Sequence, residues 1–290
     1  MAERLAVLKT YKLYLKGEFP RSESGRTIEI KDSRGRTLAH VCRASKKDLR
    51  EAVRAAREAQ PAWAARTAYN RGQILYRMAE MMEGKADEFV TTLSATVPGG
   101  KTRARKEVQA AIDRLVCFGG WADKFTQVLG CANPVAGPFH NFTIPEPTGV
   151  IGVIAPDQEP LLALISLIAP PLCTGNTVVA LGSEAHPIAT AVLGEVCATS
   201  DLPGGVVNLL TGLREELLPV FTEHRDLDGL HAAVASSQDR KTLELGAAEN
   251  LKRVRVHTAT LDWYDERDCH SPYWIEPFVE MKTLWHPSAT

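Results

Sequence analysis

The sequence predicts an α/β fold built on a doubly wound parallel sheet, and three observations in residues 147–212 carry that prediction. Three short β-branched runs, at 151–155, 177–181 and 206–210, alternate with two apolar segments of helical length, 161–172 and 188–199. This alternation is the βαβαβ pattern of a parallel sheet. The strand cores are continuously apolar rather than alternating, as strands covered on both faces are. Ligands of such sheets sit at the carboxyl ends of the strands. The corners that matter are therefore residues 156–159, 182–184 and 211–212.

The remaining elements follow from local pattern. Tyr11, Leu13 and Leu15 alternate, Gly17 and Ser24-Gly25 punctuate, and Ile28 and Ile30 alternate again, which predicts short edge hairpins. Ser45 is placed to cap a helix with Ala52, Ala55, Ala56 and Ala59 on one face, and Pro61 is expected to end it. Further helices are expected over 69–82, 86–96 and 106–124, the last carrying Val108, Ile112, Leu115 and Phe118 on one stripe. Aromatic and methionine side chains in these helices read as core. Gly99-Gly100-Lys101 lacks the spaced upstream glycine of a phosphate loop. Residues 125–147, with Pro134, Gly137, Pro138, Pro145 and Pro147, read as loop. Val254 and Val256 alternating with Arg253 and Arg255 predict a strand.

Composition narrows the function classes. Hydrophobic residues make up 44% and charged residues 24%, as in ordinary globular proteins, and the net charge of -1 supplies no basic field for nucleic acid or membrane. The cysteines, Cys42, Cys117, Cys131, Cys173, Cys197 and Cys269, show no CxxC or zinc-ligand spacing, so no metal site is expected and reduced thiols in a cytoplasmic setting are. Asn141-Phe142-Thr143 fits a glycosylation pattern that, without a secretory signal, reads as coincidence. Cys269-His270 sits behind Asp262, Asp265, Glu266 and Asp268, a setting that disfavours a thiolate.

The segments PTGVIGVIAP, LLALISLIAPPLCTGNTVV and LPGGVVNLLTG, in this order, resemble the coenzyme domain of the aldehyde dehydrogenase superfamily. The resemblance implies a Rossmann-like sheet with N-terminal helices and a β oligomerisation arm. It divides the chain into a coenzyme-fold domain over 1–130 and 148–250, and an arm with C-terminal tail over 131–147 and 251–290. The family's catalytic domain is expected to be largely absent. The final segment, 277–285, looks like the family's last strand, with Phe278, Met281 and Trp285 available to cover a neighbour.

At the corners the chain departs from the family's pattern. The family's oxyanion-holding asparagine is matched by Gln158, flanked by Asp157 and Glu159. An oxyanion needs a preorganised donor, and the neighbouring negative charge opposes one. The family's ribose-binding lysine and glutamate correspond to Leu181 and Glu184, and leucine cannot donate a hydrogen bond. The glycine-serine turn that approaches the pyrophosphate is matched by Val234 and Ala235. Ser236-Ser237 can still cap the next helix. Glu244, in a leucine-glutamate-leucine-glycine match, is read as the general-base position, and no glycine-glutamine-x-cysteine setting for a nucleophile is present.

The whole pattern resembles the truncated C-terminal module of the two-module, family-sixteen aldehyde dehydrogenases. It implies a non-catalytic module, with no cofactor, that assembles as a homodimer or packs on a catalytic aldehyde dehydrogenase module. The alternative is an NAD(P)-dependent aldehyde dehydrogenase or nucleotide binder using Glu184, Glu244 and Gln158. A protein-interaction hub is a third possibility that the sequence neither supports nor excludes.

Overall fold

The computed structural model describes residues 7–258 and 260–288. The chain opens with three strands, β1 (Lys9–Tyr11), β2 (Thr27–Lys31) and β3 (Thr37–Cys42), which form a small sheet in the order β1-β3-β2. The β2–β3 pair is antiparallel, as the alternation predicts, whereas β1 pairs with β3 in parallel. The N-terminal segment continues to the main sheet, where Tyr14 exchanges backbone hydrogen bonds with Leu209 at 3.1 and 2.7 Å.

Four helices follow: α1 (Lys46–Ala64), α2 (Ala68–Gly84), α3 (Ala86–Thr96) and α4 (Gly100–Trp121). Ser45 caps α1 in a capping box with Asp48. Pro61 does not end α1, which runs a further turn. A mid-helix proline sacrifices one hydrogen bond, and the extra turn buries Trp63, whose Nε1 donates to Leu172 O at 3.1 Å. Helix α4 begins at Gly100 rather than 106, because Gly99 takes a left-handed φ of 113° that turns the chain directly into it.

Residues 125–147 are not a loop. They form α5 (Phe125–Leu129), β4 (Cys131–Asn133) and β5 (Phe139–Pro147). β5 is paired along its whole length by β11 (Val279–Pro287), antiparallel and in continuous register from Val279↔Pro147 to Pro287↔Phe139, and Pro145 and Pro147 are accommodated because β4 pairs only with Asn141, Phe142 and Thr143, which leaves the other edge of β5 open at the prolines. Sequence separation hides such a partner: the two strands lie more than a hundred residues apart in the chain.

The main sheet contains β6 (Val150–Ile154), β7 (Thr177–Leu181), β8 (Val207–Leu210), β9 (Gly229–Val234) and β10 (Arg253–Thr258), all parallel, in the order β10-β9-β6-β7-β8. The connecting helices are α6 (Pro160–Cys173), α7 (Ile188–Thr199), α8 (Arg214–Glu223) and α9 (Ser237–Ala248). Successive strand residues face opposite layers. Ile151, Val153, Val178 and Ala180 pack with α2, α4, α6 and α7. Val150, Ile154, Val179 and Leu181 pack with α1 and α8. Strand order runs outward from β6 in both directions, so the topological switch point lies between β6 and β9. A short helix, α10 (Glu266–Cys269), and two 3-10 turns, Pro272–Trp274 and Glu276–Phe278, lead from β10 back to β11.

Candidate functional site

A doubly wound sheet binds its ligands beyond the carboxyl ends of the strands, at the switch point. Here that end is crossed by an arginine. Arg214 opens α8, just beyond β8, and its guanidinium reaches over the end of β7 to the residues that follow β6. Its Nη1 donates to Asp157 Oδ2 at 2.7 Å, and its Nη2 donates to Asp157 Oδ1 at 2.8 Å and Ala155 O at 2.9 Å. Ser183 Oγ, after β7, donates to Asp157 Oδ1 at 2.7 Å, and Ala185 N donates to the same oxygen at 3.1 Å. Burial alone would raise the Asp157 carboxyl, but the Arg214 guanidinium and the Ser183 hydroxyl hold it down at about 2. Asp157 is therefore a carboxylate at neutral pH.

A cation at the first residue of a helix opposes the helix dipole. The surrounding acids offset this. Glu184 Oε2 accepts the Arg214 backbone N–H at 2.7 Å, capping a helix whose own N-cap residue, Leu213, supplies no side-chain acceptor. The carboxylate read from sequence as a ribose contact thus has a structural partner.

Gln158 is exposed. Leu181 is fully buried and Val234 is 8% exposed, and both belong to the core between the sheet and α8; neither projects into an open cleft. Ala235 is exposed, and Ser236 caps α9 by accepting from the backbone of Gln238 and Asp239. Glu244 lies on the exposed side of α9, ion-paired to Arg240 at 2.8 Å, rather than at a strand end with Gln158 and Glu184. Its matching motif falls inside a helix, so the structure does not bring Glu244 into the corner. Cys269 is buried, with burial pushing its thiol up to about 11, and Cys269 and His270 form no dyad. Asn141 is 6% exposed and its Oδ1 accepts from Asn133 Nδ2, so it is no surface acceptor for a sugar.

Beside the corner lies a buried acidic group that sequence reasoning missed. Glu107 of α4 is 1% exposed, and its Oε1 accepts from Leu161 N at 2.8 Å and Leu162 N at 3.3 Å, in the first turn of α6. Burial raises its carboxyl to about 7 against those two donors. Glu159 adopts a left-handed φ of 42° to enter α6, and its Oε1 accepts from Arg103 Nη2 at 2.8 Å. A polar residue at a buried helical position of α4 was the available signal. Among the described residues no group of three or more His, Cys, Asp or Glu is arranged to hold a metal ion, and no helix is long and apolar enough to cross a membrane.

The fold defines a class: a doubly wound, Rossmann-like α/β protein. The family model for the aldehyde dehydrogenase family matches residues 19–260, and the chain belongs to that family. It is 33% identical over 256 residues to retinal dehydrogenase 2 of Gallus gallus, covering 86% of this chain and 48% of that protein. It is 33% identical over 250 residues to the mitochondrial benzaldehyde dehydrogenase of Antirrhinum majus, covering 84% and 46%. Among solved structures, the NAD+ complex of aldehyde dehydrogenase from Bacillus cereus superposes with a TM-score of 0.82 at 27% identity, over 86% of this chain and 51% of that one. The chain thus spans about half the length of the relatives it matches.

The coenzyme that the family implies can be tested against these residues. In the arrangement seen, Arg214 lies across the strand ends, Leu181 offers no donor, Glu184 is engaged by α8, and Asp157 adds a carboxylate to the corner. A dinucleotide does not fit this closed corner.

Proposed function

We propose that this chain supplies the coenzyme-fold half of an NAD(P)-linked aldehyde dehydrogenase, an oxidoreductase whose remaining part comes from further polypeptide. The observation that carries this reading is the five-stranded order β10-β9-β6-β7-β8, which superposes on an aldehyde dehydrogenase solved with NAD+. Relatives named for retinal and benzaldehyde support an aldehyde as the substrate class. Calorimetric titration with NAD and with NADP tests it, on the chain alone and mixed with a catalytic aldehyde dehydrogenase module. Binding of either nucleotide at micromolar to millimolar concentration is expected. No heat in any combination removes the coenzyme role.

A second reading is favoured by a specific observation, the Asp157–Arg214 pair that closes the corner. Here the chain is a non-catalytic module of the family-sixteen type, held for assembly as a homodimer or against a catalytic module. Its docking element is the sheet in the order β11-β5-β4, which leaves Met281 and Trp285 exposed together with Phe139, whereas Phe278 is buried in the chain's own core and covers no neighbour. Light scattering after size exclusion distinguishes this reading: a strict monomer that binds no catalytic module ends it.

A further inference from the structure

We propose that Arg214 and Asp157 form an internal latch that holds the strand-end corner shut, so that a ligand enters only after the pair parts. The proposal rests on the coenzyme reading for the class of ligand, a dinucleotide, and on geometry for the latch itself.

The geometry has three parts. First, the side chain joins non-adjacent strands. Arg214 follows β8 and Asp157 follows β6, with β7 between them in the sheet. Strands are spaced about 4.8 Å apart, so the arginine must lie over the end of β7 to make the contact. Second, the latch is anchored on every side. The guanidinium makes two parallel bonds to the carboxylate and a third to Ala155 O, while Ser183 Oγ and Ala185 N hold the carboxylate from the β7 side. Bidentate pairs of this kind are directional as well as strong. Third, the latch has a release path. The Asp157 and Arg214 side chains are 39% and 20% exposed, so water replaces the lost contacts on opening. The Arg214 Nε is buried without a partner in the closed state, which leaves one donor that opening satisfies.

The position gives the contact its meaning. Asp157 follows β6, the strand that borders β9 at the switch point, so the latch covers the β6–β7–β8 side of the strand ends, where doubly wound sheets receive ligands. Glu184 fastens the α8 end of the same arginine through its backbone N–H. One residue thus ties all three corners together, and a dianionic pyrophosphate is an apt competitor for its guanidinium.

The test uses R214A and D157N beside the unaltered chain, with two readouts. Amide hydrogen exchange over residues 183–187 and 212–216 reports the latch, and titration with NAD and NADP reports the ligand. We expect exchange in both segments to quicken by at least about tenfold in each variant, with dinucleotide bound more tightly than by the unaltered chain. Unchanged protection in both variants, with thermal melting preserved, overturns the latch. Equal dinucleotide affinity in all three proteins also overturns it while leaving the coenzyme reading intact. Faster exchange with no dinucleotide bound by any of them supports the latch and removes the coenzyme reading. If R214A does not fold, D157N carries both readouts, because asparagine keeps the side chain's size and its contact with Ser183.

Discussion

His231 and His257 meet Nε2 to Nε2 at 3.0 Å on the strands β9 and β10, beneath the segment that returns to the arm. His231 Nδ1 lies 2.8 Å from Leu167 O, which can only accept, so Nδ1 carries the proton and Nε2 is the acceptor. His257 must then donate from Nε2. Its ring stacks on Trp274 with centroids 4.2 Å apart and planes 9° from parallel. Burial, then the charge of Arg255, lowers His257 to about 4; burial and the neighbouring imidazole hold His231 well below its usual value.

This pair predicts an acid-sensitive tail. An unfolded histidine titrates near 6.5, so between that value and about 4 the unfolded chain binds more protons. The contribution of His257 is complete above pH 6.5 and is lost as pH falls toward 4, by roughly 3 kcal/mol in all and about 2 kcal/mol by pH 5. Urea melts at pH 7.5, 6.5, 5.5 and 5.0 measure it. The variant His257→Phe keeps the stacking on Trp274 and loses about 1 kcal/mol at neutral pH through the bare acceptor on His231. Its stability should fall less steeply with acid than that of the unaltered chain, and equal slopes would count against the assignment.

Glu107 predicts the opposite sign. Its folded carboxyl titrates near 7 and its unfolded one near 4.5, so the folded state binds more protons between these values. Stability from this group rises as pH falls from about 7 toward 4.5. Glu107→Gln keeps an acceptor for Leu161 N and Leu162 N and removes the ionisation. The variant should be more stable by about 3 kcal/mol at pH 8, a difference that falls to about 1 kcal/mol by pH 5 and vanishes below pH 4.5. A variant less stable at pH 8 would show that the carboxylate is favoured where it sits.

Trp63 tests the extra turn of α1. Trp63→Phe fills most of the space and removes one donor from Leu172 O, which still accepts from Gly175 N at 3.1 Å, so the cost is about 1 kcal/mol. Trp63→Ala adds a cavity between α1 and α6 and should cost about 3–5 kcal/mol. Equal destabilisation by the two variants would mean that the hydrogen bond, not the packing, matters. Thermal melting separates them.

The arm sheet tests assembly. Trp285 is 60% exposed and meets Phe139 edge to face with centroids 5.8 Å apart. If this face buries a partner, Trp285→Asp together with Met281→Asp dissociates the assembly in light scattering while circular dichroism stays unchanged. An unaltered mass for the double variant would place any interface elsewhere.

How much of this was legible in the sequence differs by element. The helices at Ala86–Thr96 and Ile188–Thr199 and the strand at Thr177–Leu181 match the sequence reading to the residue. Each is a local pattern: a cap or a turn, then one hydrophobic period. Residues 125–147 misled because prolines argue for loop locally, while pairing with β11 compensates from the other end of the chain. Glu244 misled because a four-residue motif reads alike in a helix and at a strand end.

The sequence by itself determined the doubly wound sheet, since continuous apolar strands alternating with apolar helices have few other ways to bury both faces. It also determined the identities at the corners, Gln158, Leu181, Glu184 and Val234. Only the tertiary structure decided what the corners do. Arg214 comes 57 residues after Asp157, and no sequence period links them. They meet because β6, β7 and β8 end side by side, which converts one arginine and one aspartate into the bar across the site.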